Sequence, residues 1–196
     1  MYLTRSSLVD LYKKKEIIIR PLLSEKQFGE ISLDLRLGTD FLVSYQGRQA
    51  FIDAAGVDIN RPISSSFQET KRLVGETILL HPHQTVLCSI LEYIKLPNNI
   101  FLDLTTRSSY SRLGITISSI VQPGYCGCVS LELTNNNNNP IKIRVGAALI
   151  QARFFQLDQE TDYFNTERKY TCQVRPVASK ANLDEELIYL DNFFKS

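Results

Sequence analysis

The sequence predicts a mainly β protein, a sandwich or barrel with a short helix at each end. Short apolar or alternating segments recur between residues 31 and 155, with turn residues between them, which is typical of a sandwich or barrel. Helical spacing of apolar residues occurs only near the two termini. The chain has 196 residues and is 43% hydrophobic, which suits one domain, residues 1–196, with a full core.

The N-terminal helix is expected over residues 4–15. Thr4 or Ser6 can cap it, and Leu8 and Leu11 fall at helical spacing. A second short helix is expected near the C-terminus, at residues 183–194, where apolar residues again recur on one helical face.

The strands are predicted from alternation and from apolar runs. Residues 32–37 alternate polar and apolar side chains, the pattern of a half-buried strand. Gly38 predicts a turn, after which a strand resumes at residues 41–43. The polar stretch 46–75 is expected to hold one or two short strands. Further strands are predicted at residues 17–19, 77–80, 85–91, 100–104, 115–117, 128–133, 141–143 and 149–155.

Five consecutive asparagines, residues 135–139, precede Pro140. Asparagine tolerates left-handed backbone conformations, so this run predicts a turn.

Composition excludes several classes of function. The formal net charge is +1, so no basic surface argues for nucleic-acid binding. No apolar run approaches the roughly 18 residues of a membrane span. The N-terminus lacks the apolar core of a signal peptide, so a cytoplasmic location is expected.

The four cysteines are too few and too scattered for a disulfide framework. Cys126 and Cys128 form a C-x-C pair, but a zinc site needs more ligands, and His81 and His83 are distant in sequence. Buried or half-buried free thiols are therefore expected.

Two segments carry candidate chemistry. Arginines and serines are concentrated in residues 107–112, and guanidinium groups with hydroxyls suit an anionic ligand such as phosphate. Glu132 interrupts an apolar strand between Leu131 and Leu133. Partial burial should raise the pKa of its carboxyl group towards the range useful for proton transfer. These residues suggest an enzyme that binds a phosphorylated substrate.

Simpler structural interpretations stand beside these. Glu132 can be a structural residue on an exposed strand face, and Arg107 and Arg112 can form ordinary surface ion pairs. Asp34 and Arg36 share one face of the early strand, which predicts a local ion pair between them.

Several motifs together resemble one known family. The chain resembles the dCTP deaminase branch of the dUTPase-like family, with segments such as R-S-S-Y-S-R-L-G and P-G-Y-C-G-C-V-S-L-E in the family's order. The resemblance implies a distorted jelly-roll or dUTPase-like β-barrel. It also implies a homotrimer with active sites between subunits, and deamination of dCTP to dUTP and ammonia. The matching segments are residues 31–38, 80–83, 91–97, 107–114, 123–135, 140–146, 152–155 and 169–173.

The resemblance also implies roles for individual residues. Glu132 would activate water to attack C4 of cytosine, and Arg112 and Ser108 would polarise the base and stabilise the tetrahedral centre. The C-terminal segment 158–180 would close over the triphosphate as a lid. The implied substrate-binding residues are Arg107, Ser109, Ser111, Gln122, Tyr125, Ser130, Leu131, Tyr163, Lys169 and Gln173.

The implied cofactor is Mg²⁺, bound by the nucleotide triphosphate rather than by the protein. Zinc-dependent nucleobase deaminases carry H-x-E and P-C-x-x-C motifs, and this sequence has neither. The implied ligands are the deoxynucleoside triphosphates dCTP and dUTP, with dTTP left open.

Two departures from the family pattern bear on the reaction. Gln122 stands where the family has an aspartate before the Pro-Gly pair. A glutamine can hydrogen-bond but cannot act as a base, so dUTP is expected to be the final product. The stretch 115–121 is shorter than in the family and would contact the base. The alternatives are a related enzyme such as a dUTP diphosphatase, or a non-catalytic nucleotide-binding trimer.

Overall fold

The computed structural model describes residues 1–45, 47, 51–55, 60–163, 169–170, 172–183, 189–190 and 193. Over these residues the chain is mainly β, as the sequence predicts. The strands are β1 Ile18–Arg20, β2 Leu33–Ser44, β3 Phe67–Lys71, β4 Thr77–Leu80, β5 Thr85–Ile90, β6 Tyr93–Lys95, β7 Ile100–Thr106, β8 Ile115–Thr116, β9 Ser118–Val121, β10 Cys126–Gly127, β11 Ser130–Asn135, β12 Ile141–Arg144 and β13 Ala148–Gln156. The helices with full bounds are α1 Arg5–Lys13 and α2 Ser108–Ser111.

Most strands belong to one curled sheet with the order β8-β11-β5-β2-β13-β7-β9. The long strand β2 explains the curl: its first half pairs with β13, and its second half pairs with β5 and β3. Two smaller sheets, β1-β6-β10 and β12-β4, complete the β structure.

Alternation along the strands supplies the core. In β7 and in residues 33–37 of β2 every second side chain is buried, so the inward positions there form one layer made mostly of leucine and isoleucine. Helix α1 buries Leu8 against this core. Thr4 is its N-cap, but its hydroxyl contacts Ser6 and Ser7 Oγ atoms instead of capping a backbone N–H.

The predicted turn at Gly38 is wrong, because β2 runs through this position without a break. A side chain at Gly38 would place its Cβ 2.6 Å from the Ser89 carbonyl oxygen. The glycine is therefore needed for close approach between β2 and β5 at the irregularity in their register.

The asparagine run forms a turn by a different route from the one predicted. Asn135 ends β11 and is buried, and its Nδ2 donates to the carbonyl oxygens of Leu80 and Asn139. The side-chain oxygens of Asn135 and Asn137 accept the backbone N–H groups of Asn137 and Asn139. None of residues 135–139 has a positive φ, so side-chain hydrogen bonds shape this turn.

Short strands were the hardest to predict. β6 has three residues and buries only the middle one, so it carries almost no periodic signal. The predicted strand 128–133 corresponds to β11, which begins two residues later, at Ser130; the two-residue strand β10 before it was not predicted, and a separate strand β9 follows β8. Most of the predicted C-terminal helix lies outside the described residues, although Tyr189, Leu190 and Phe193 have helical backbone.

Candidate active site

Glu132 lies in the middle of β11 and faces a pocket of about 410 Å³. Its neighbours Leu131 and Leu133 are fully buried on the opposite face of the strand, and alternation therefore turns Glu132 outward. β11 is held on both sides, by β5 and by β8. The strand that carries the carboxylate is thus an internal strand of the sheet.

The pocket walls come from four parts of the chain. Strand β9 and the following turn form one wall, β11 forms the floor, and Leu87 of β5 lies beside it. Residues of the C-terminal segment form the remaining wall. The described lining residues are Leu87, Ser119, Ile120, Val121, Gln122, Tyr125, Val129, Ser130, Leu131, Glu132, Tyr163, Tyr170, Gln173, Val177 and Ser179.

The pocket suits a base next to a polar ligand. Desolvation by the surrounding protein raises the pKa of Glu132 above its usual range. Burial likewise raises the pKa of Tyr125, so its phenol stays neutral at physiological pH. Gln122 is exposed in the same wall and offers amide donors and an acceptor without a titratable group.

The C-terminal segment is attached to the pocket through Gln173. Its backbone carbonyl accepts the N–H of Cys128 at 2.8 Å, and its Oε1 accepts the hydroxyl of Ser130 at 2.9 Å. Gly127 makes the approach possible, because a Cβ there would overlap the Gln173 carbonyl oxygen. Gly127 also has a φ of 143°, which other residues rarely adopt.

Lys169 is not among the described residues that line the pocket. Its carbonyl oxygen accepts Lys180 Nζ at 2.6 Å, and the Tyr170 hydroxyl accepts the backbone N–H of Lys180 at 2.7 Å. These contacts fold the segment back on itself, with Tyr170 rather than Lys169 at the pocket wall.

The arginine and serine loop forms a single helical turn, α2, between β7 and β8. Arg107 precedes it and makes an ion pair with Asp34, with 3.2 Å between Nε and Oδ2. Its Nη1 also donates to the Ala148 carbonyl oxygen at 3.0 Å. The predicted Asp34–Arg36 pair is wrong: Arg36 pairs instead with the fully buried Glu92. The strand pattern could not reveal partners this distant in sequence.

The predicted site residues therefore fall into two groups. Seven of them line the Glu132 pocket: Gln122, Tyr125, Ser130, Leu131, Glu132, Tyr163 and Gln173. The other six are Lys169 and the loop residues Arg107, Ser108, Ser109, Ser111 and Arg112, and none of these is among the described residues that line it. Ser108, Ser109, Ser111 and Arg112 are exposed.

Sequence reasoning missed several lining residues, among them Leu87, Tyr170, Val177 and Ser179. Tyr170 lies between the predicted Lys169 and Gln173, so the motif at residues 169–173 could have identified it as a pocket residue. Leu87 could have been found from the β5–β11 pairing, where it lies opposite Glu132. Val177 and Ser179 belong to no sequence pattern that we can identify.

The fold and this pocket define a mainly β protein with a candidate small-molecule site, and a family match gives the more specific assignment. A family model described as dCTP deaminase-like matches residues 2–157. The chain belongs to the dCTP deaminase-like family.

Two of the relatives are similar to this chain over nearly their whole length. A protein of Dictyoglomus turgidum named "dCTP deaminase, dUMP-forming" is 32% identical, with 94% of this chain and 96% of that protein covered. A Halorubrum lacusprofundi protein named "dCTP deaminase" is 31% identical, with 95% of this chain and 94% of that protein covered. The crystal structure of a 2'-deoxycytidine 5'-triphosphate deaminase from Agrobacterium tumefaciens has a TM-score of 0.58 and 23% identity. That match covers 78% of this chain and 47% of that longer chain, and it supports the fold alone.

Among the helices that the structure describes, none combines the length and apolarity needed to cross a membrane.

Proposed function

We propose that this protein hydrolytically deaminates dCTP to dUTP and ammonia. The observation that carries the proposal is Glu132, a carboxylate with a raised pKa that projects from β11 into a pocket of about 410 Å³. That volume lies in the range of small-molecule sites. Membership in the dCTP deaminase-like family supports the substrate class.

Glu132 is the base in this mechanism. It takes a proton from water as the oxygen attacks C4 of cytosine, and it returns a proton to the amino group that leaves as ammonia. The developing negative charge at the tetrahedral centre needs a cationic or hydrogen-bonding partner. No lysine or arginine is among the described residues that line the pocket of one chain.

We propose that a neighbouring chain of a homotrimer supplies this partner. Ser108 begins α2 and Arg112 follows its last residue; both are exposed and neither is among the described residues that line the pocket of their own chain. A cyclic assembly brings the same loop of each chain against the pocket of the next. Arg107 is less available because Asp34 and the Ala148 carbonyl oxygen already hold it.

Mg²⁺ would enter with the nucleotide. Glu132 is the one carboxylate among the described pocket residues, and it serves as the base. The residues present therefore fit a cation held by triphosphate oxygens, where it would neutralise phosphate charge. Gln173 and Tyr170 would close over that end of the substrate. We place the reaction in the cytoplasm, where deoxynucleotides are used.

Gln122 favours dUTP as the end product. The relative from D. turgidum is named for dUMP formation, a second step that needs water activated near the phosphates. Gln122 lines this pocket and cannot accept a proton from water as a carboxylate can. Formation of dUMP is the second candidate, favoured by that relative's name.

The test is a product assay on dCTP, dCMP, dUTP and dTTP with Mg²⁺ present. We expect ammonia and dUTP from dCTP, and no pyrophosphate. Glu132→Gln should lose roughly 10²–10⁴-fold in turnover while still binding dCTP, because the amide keeps the shape and loses the base. Wild-type turnover in this variant, or no ammonia from dCTP with the native protein, would contradict the proposal.

A further inference from the structure

Two cysteines meet where the C-terminal segment crosses the sheet. The Sγ atoms of Cys126 in β10 and Cys172 in the segment are 2.7 Å apart, and the two residues are 46 positions apart in sequence. Cys172 is exposed and not buried as the sequence suggested, and Cys126 is half-buried. A disulfide bond is about 2.05 Å long, so a small side-chain movement would be enough to form one.

The backbone keeps these thiols together. The N–H of Cys128 and the hydroxyl of Ser130 both bind Gln173, the residue after Cys172. The missing side chain of Gly127 leaves room for the same carbonyl group. Two hydrogen bonds and the space at Gly127 thus fix the segment directly beside β10 and β11, and the proximity of the two sulfurs follows from that packing.

The other two cysteines are poorer candidates for reaction. Cys88 is fully buried in the core, where burial raises its thiol pKa. Cys128 is half-buried, and desolvation is again the largest cause of its raised pKa. Thiol exchange requires an accessible thiolate, which favours Cys172 as the first sulfur to react.

We propose that Cys126 and Cys172 are a redox modification site, whose reversible disulfide fastens the C-terminal segment over the Glu132 pocket. The oxidant is a low-molecular-weight disulfide. The Cys172 thiolate attacks one sulfur of that disulfide and releases one thiol, leaving a mixed disulfide on Cys172. The Cys126 thiolate then attacks the Cys172 sulfur and releases the second thiol. Two protein thiols are oxidised, and one small disulfide is reduced to two thiols.

The functional consequence rests on the proposed deaminase activity. Tyr170 and Gln173, on either side of Cys172, are part of the pocket wall. Nucleotide entry and product release require such a segment to open. A covalent link at Cys172 would hold it closed, so oxidation should lower turnover and reduction should restore it.

The experiment treats the full-length protein with glutathione disulfide. The Cys126 partner raises the pKa of Cys172, so oxidation is run at about pH 9.5, above the ordinary thiol pKa, to increase the thiolate fraction. Mass spectrometry of a non-reducing digest should find a peptide pair linked through Cys126 and Cys172, with the loss of two hydrogens. Cys172→Ser and Cys126→Ser should abolish the link. Cys128→Ser, two residues from Cys126, is the matched control and should retain it.

Activity is measured on the same samples. Oxidised native protein should lose most of its turnover and regain it with dithiothreitol, while Cys172→Ser should respond to neither reagent. A link through Cys128, glutathione remaining on Cys172, or full activity in the linked protein would overturn the proposal. If the reduced protein never deaminates dCTP, the proposed function fails, but the peptide map and the rate of nucleotide dissociation still decide whether the disulfide forms and closes the pocket.

Discussion

At the scale of single residues, the pocket depends on how its surroundings change Glu132. Partial desolvation raises the pKa of this carboxyl group, and a general base works only when it is ionised. As pH falls through the raised pKa, the base is protonated and activity is lost; above that pKa the base is fully available. We therefore expect the acidic limb of kcat/KM to lie above the value of about 4.3 typical of a free glutamate.

The measurement is a pH–rate profile of dCTP deamination, with thermal melting at each pH as the control for acid unfolding. If the acidic limb of kcat/KM lies at or below the ordinary pKa range of glutamate while the protein remains folded, desolvation does not raise the pKa of the catalytic carboxyl group.

We expect the residue at position 122 to determine whether dUTP is hydrolysed further to dUMP. The Gln122 side chain reaches the pocket from the turn after β9, where an aspartate would add a second carboxylate near the substrate. Gln122→Asp should therefore gain release of pyrophosphate and formation of dUMP, measured by chromatography. Gln122→Asn is the control, because it shortens the side chain without adding charge. Stoichiometric pyrophosphate from the native protein would contradict the assigned role.

At the scale of elements, the approach of the C-terminal segment to β10 depends on Gly127. Gly127→Ala should push the Gln173 carbonyl away from β10 and weaken closure of the C-terminal segment. We expect the main effect to be a raised KM for dCTP, with a smaller effect on the stability of the sheet. Gly75→Ala is the matched control, because Gly75 also has a positive φ, 95°, but a Cβ at that position would meet no atom within 4 Å. Equal effects from the two variants would mean that backbone strain, and not the contact with Gln173, is responsible.

Glu92 lies between β5 and β6, and its side chain attaches this part of the chain to Arg36 of β2. Its carboxylate is completely buried and accepts both the backbone N–H and the guanidinium of Arg36, at 2.9 and 3.2 Å. Glu92→Ala leaves these donors without that acceptor, so we expect the free energy of unfolding to fall by about 3–5 kcal/mol. Urea denaturation at pH 7 measures the change.

Arg175→Ala provides the comparison for Glu92→Ala. Arg175 Nε lies 3.7 Å from Asp40 Oδ1, and the arginine side chain is 71% exposed. Loss of this ion pair should change the free energy of unfolding by about 0–1 kcal/mol. Similar losses in the two variants would mean that the buried pair adds little.

These elements also mark what the sequence could predict. Alternation and apolar runs predicted the long strands, because one face of each is buried in a common core. Gly38 misled the prediction because a glycine in a turn and a glycine at a close approach look alike in sequence. Glu92 was not singled out, since its burial depends on a partner more than fifty residues away.

At the scale of the molecule, the two groups that we propose for catalysis do not meet in one chain. The seven predicted residues in the pocket include the proposed base, Glu132, whereas the proposed cationic partner, Arg112, lies exposed directly after α2. Motif order correctly predicted the family, but the sequence cannot say which chain contributes which motif to one site. In a homotrimer, Glu132 of one chain and Arg112 of the next would share each active site.

Mixed trimers test this arrangement directly. Glu132→Gln and Arg112→Ala should each be nearly inactive alone, because every site in either trimer lacks one essential group. When the two variants are co-expressed and mix at random, about one quarter of the sites combine an intact Glu132 with an intact Arg112 from the neighbouring chain. We therefore expect deaminase activity to return to roughly that fraction of the native level, with light scattering reporting the mass of three chains. Mixing the two purified homotrimers without subunit exchange is the control and should restore nothing. If Glu132 and Arg112 act within one chain, no mixture can rebuild a site, and co-expression would leave the activity at the level of the separate variants.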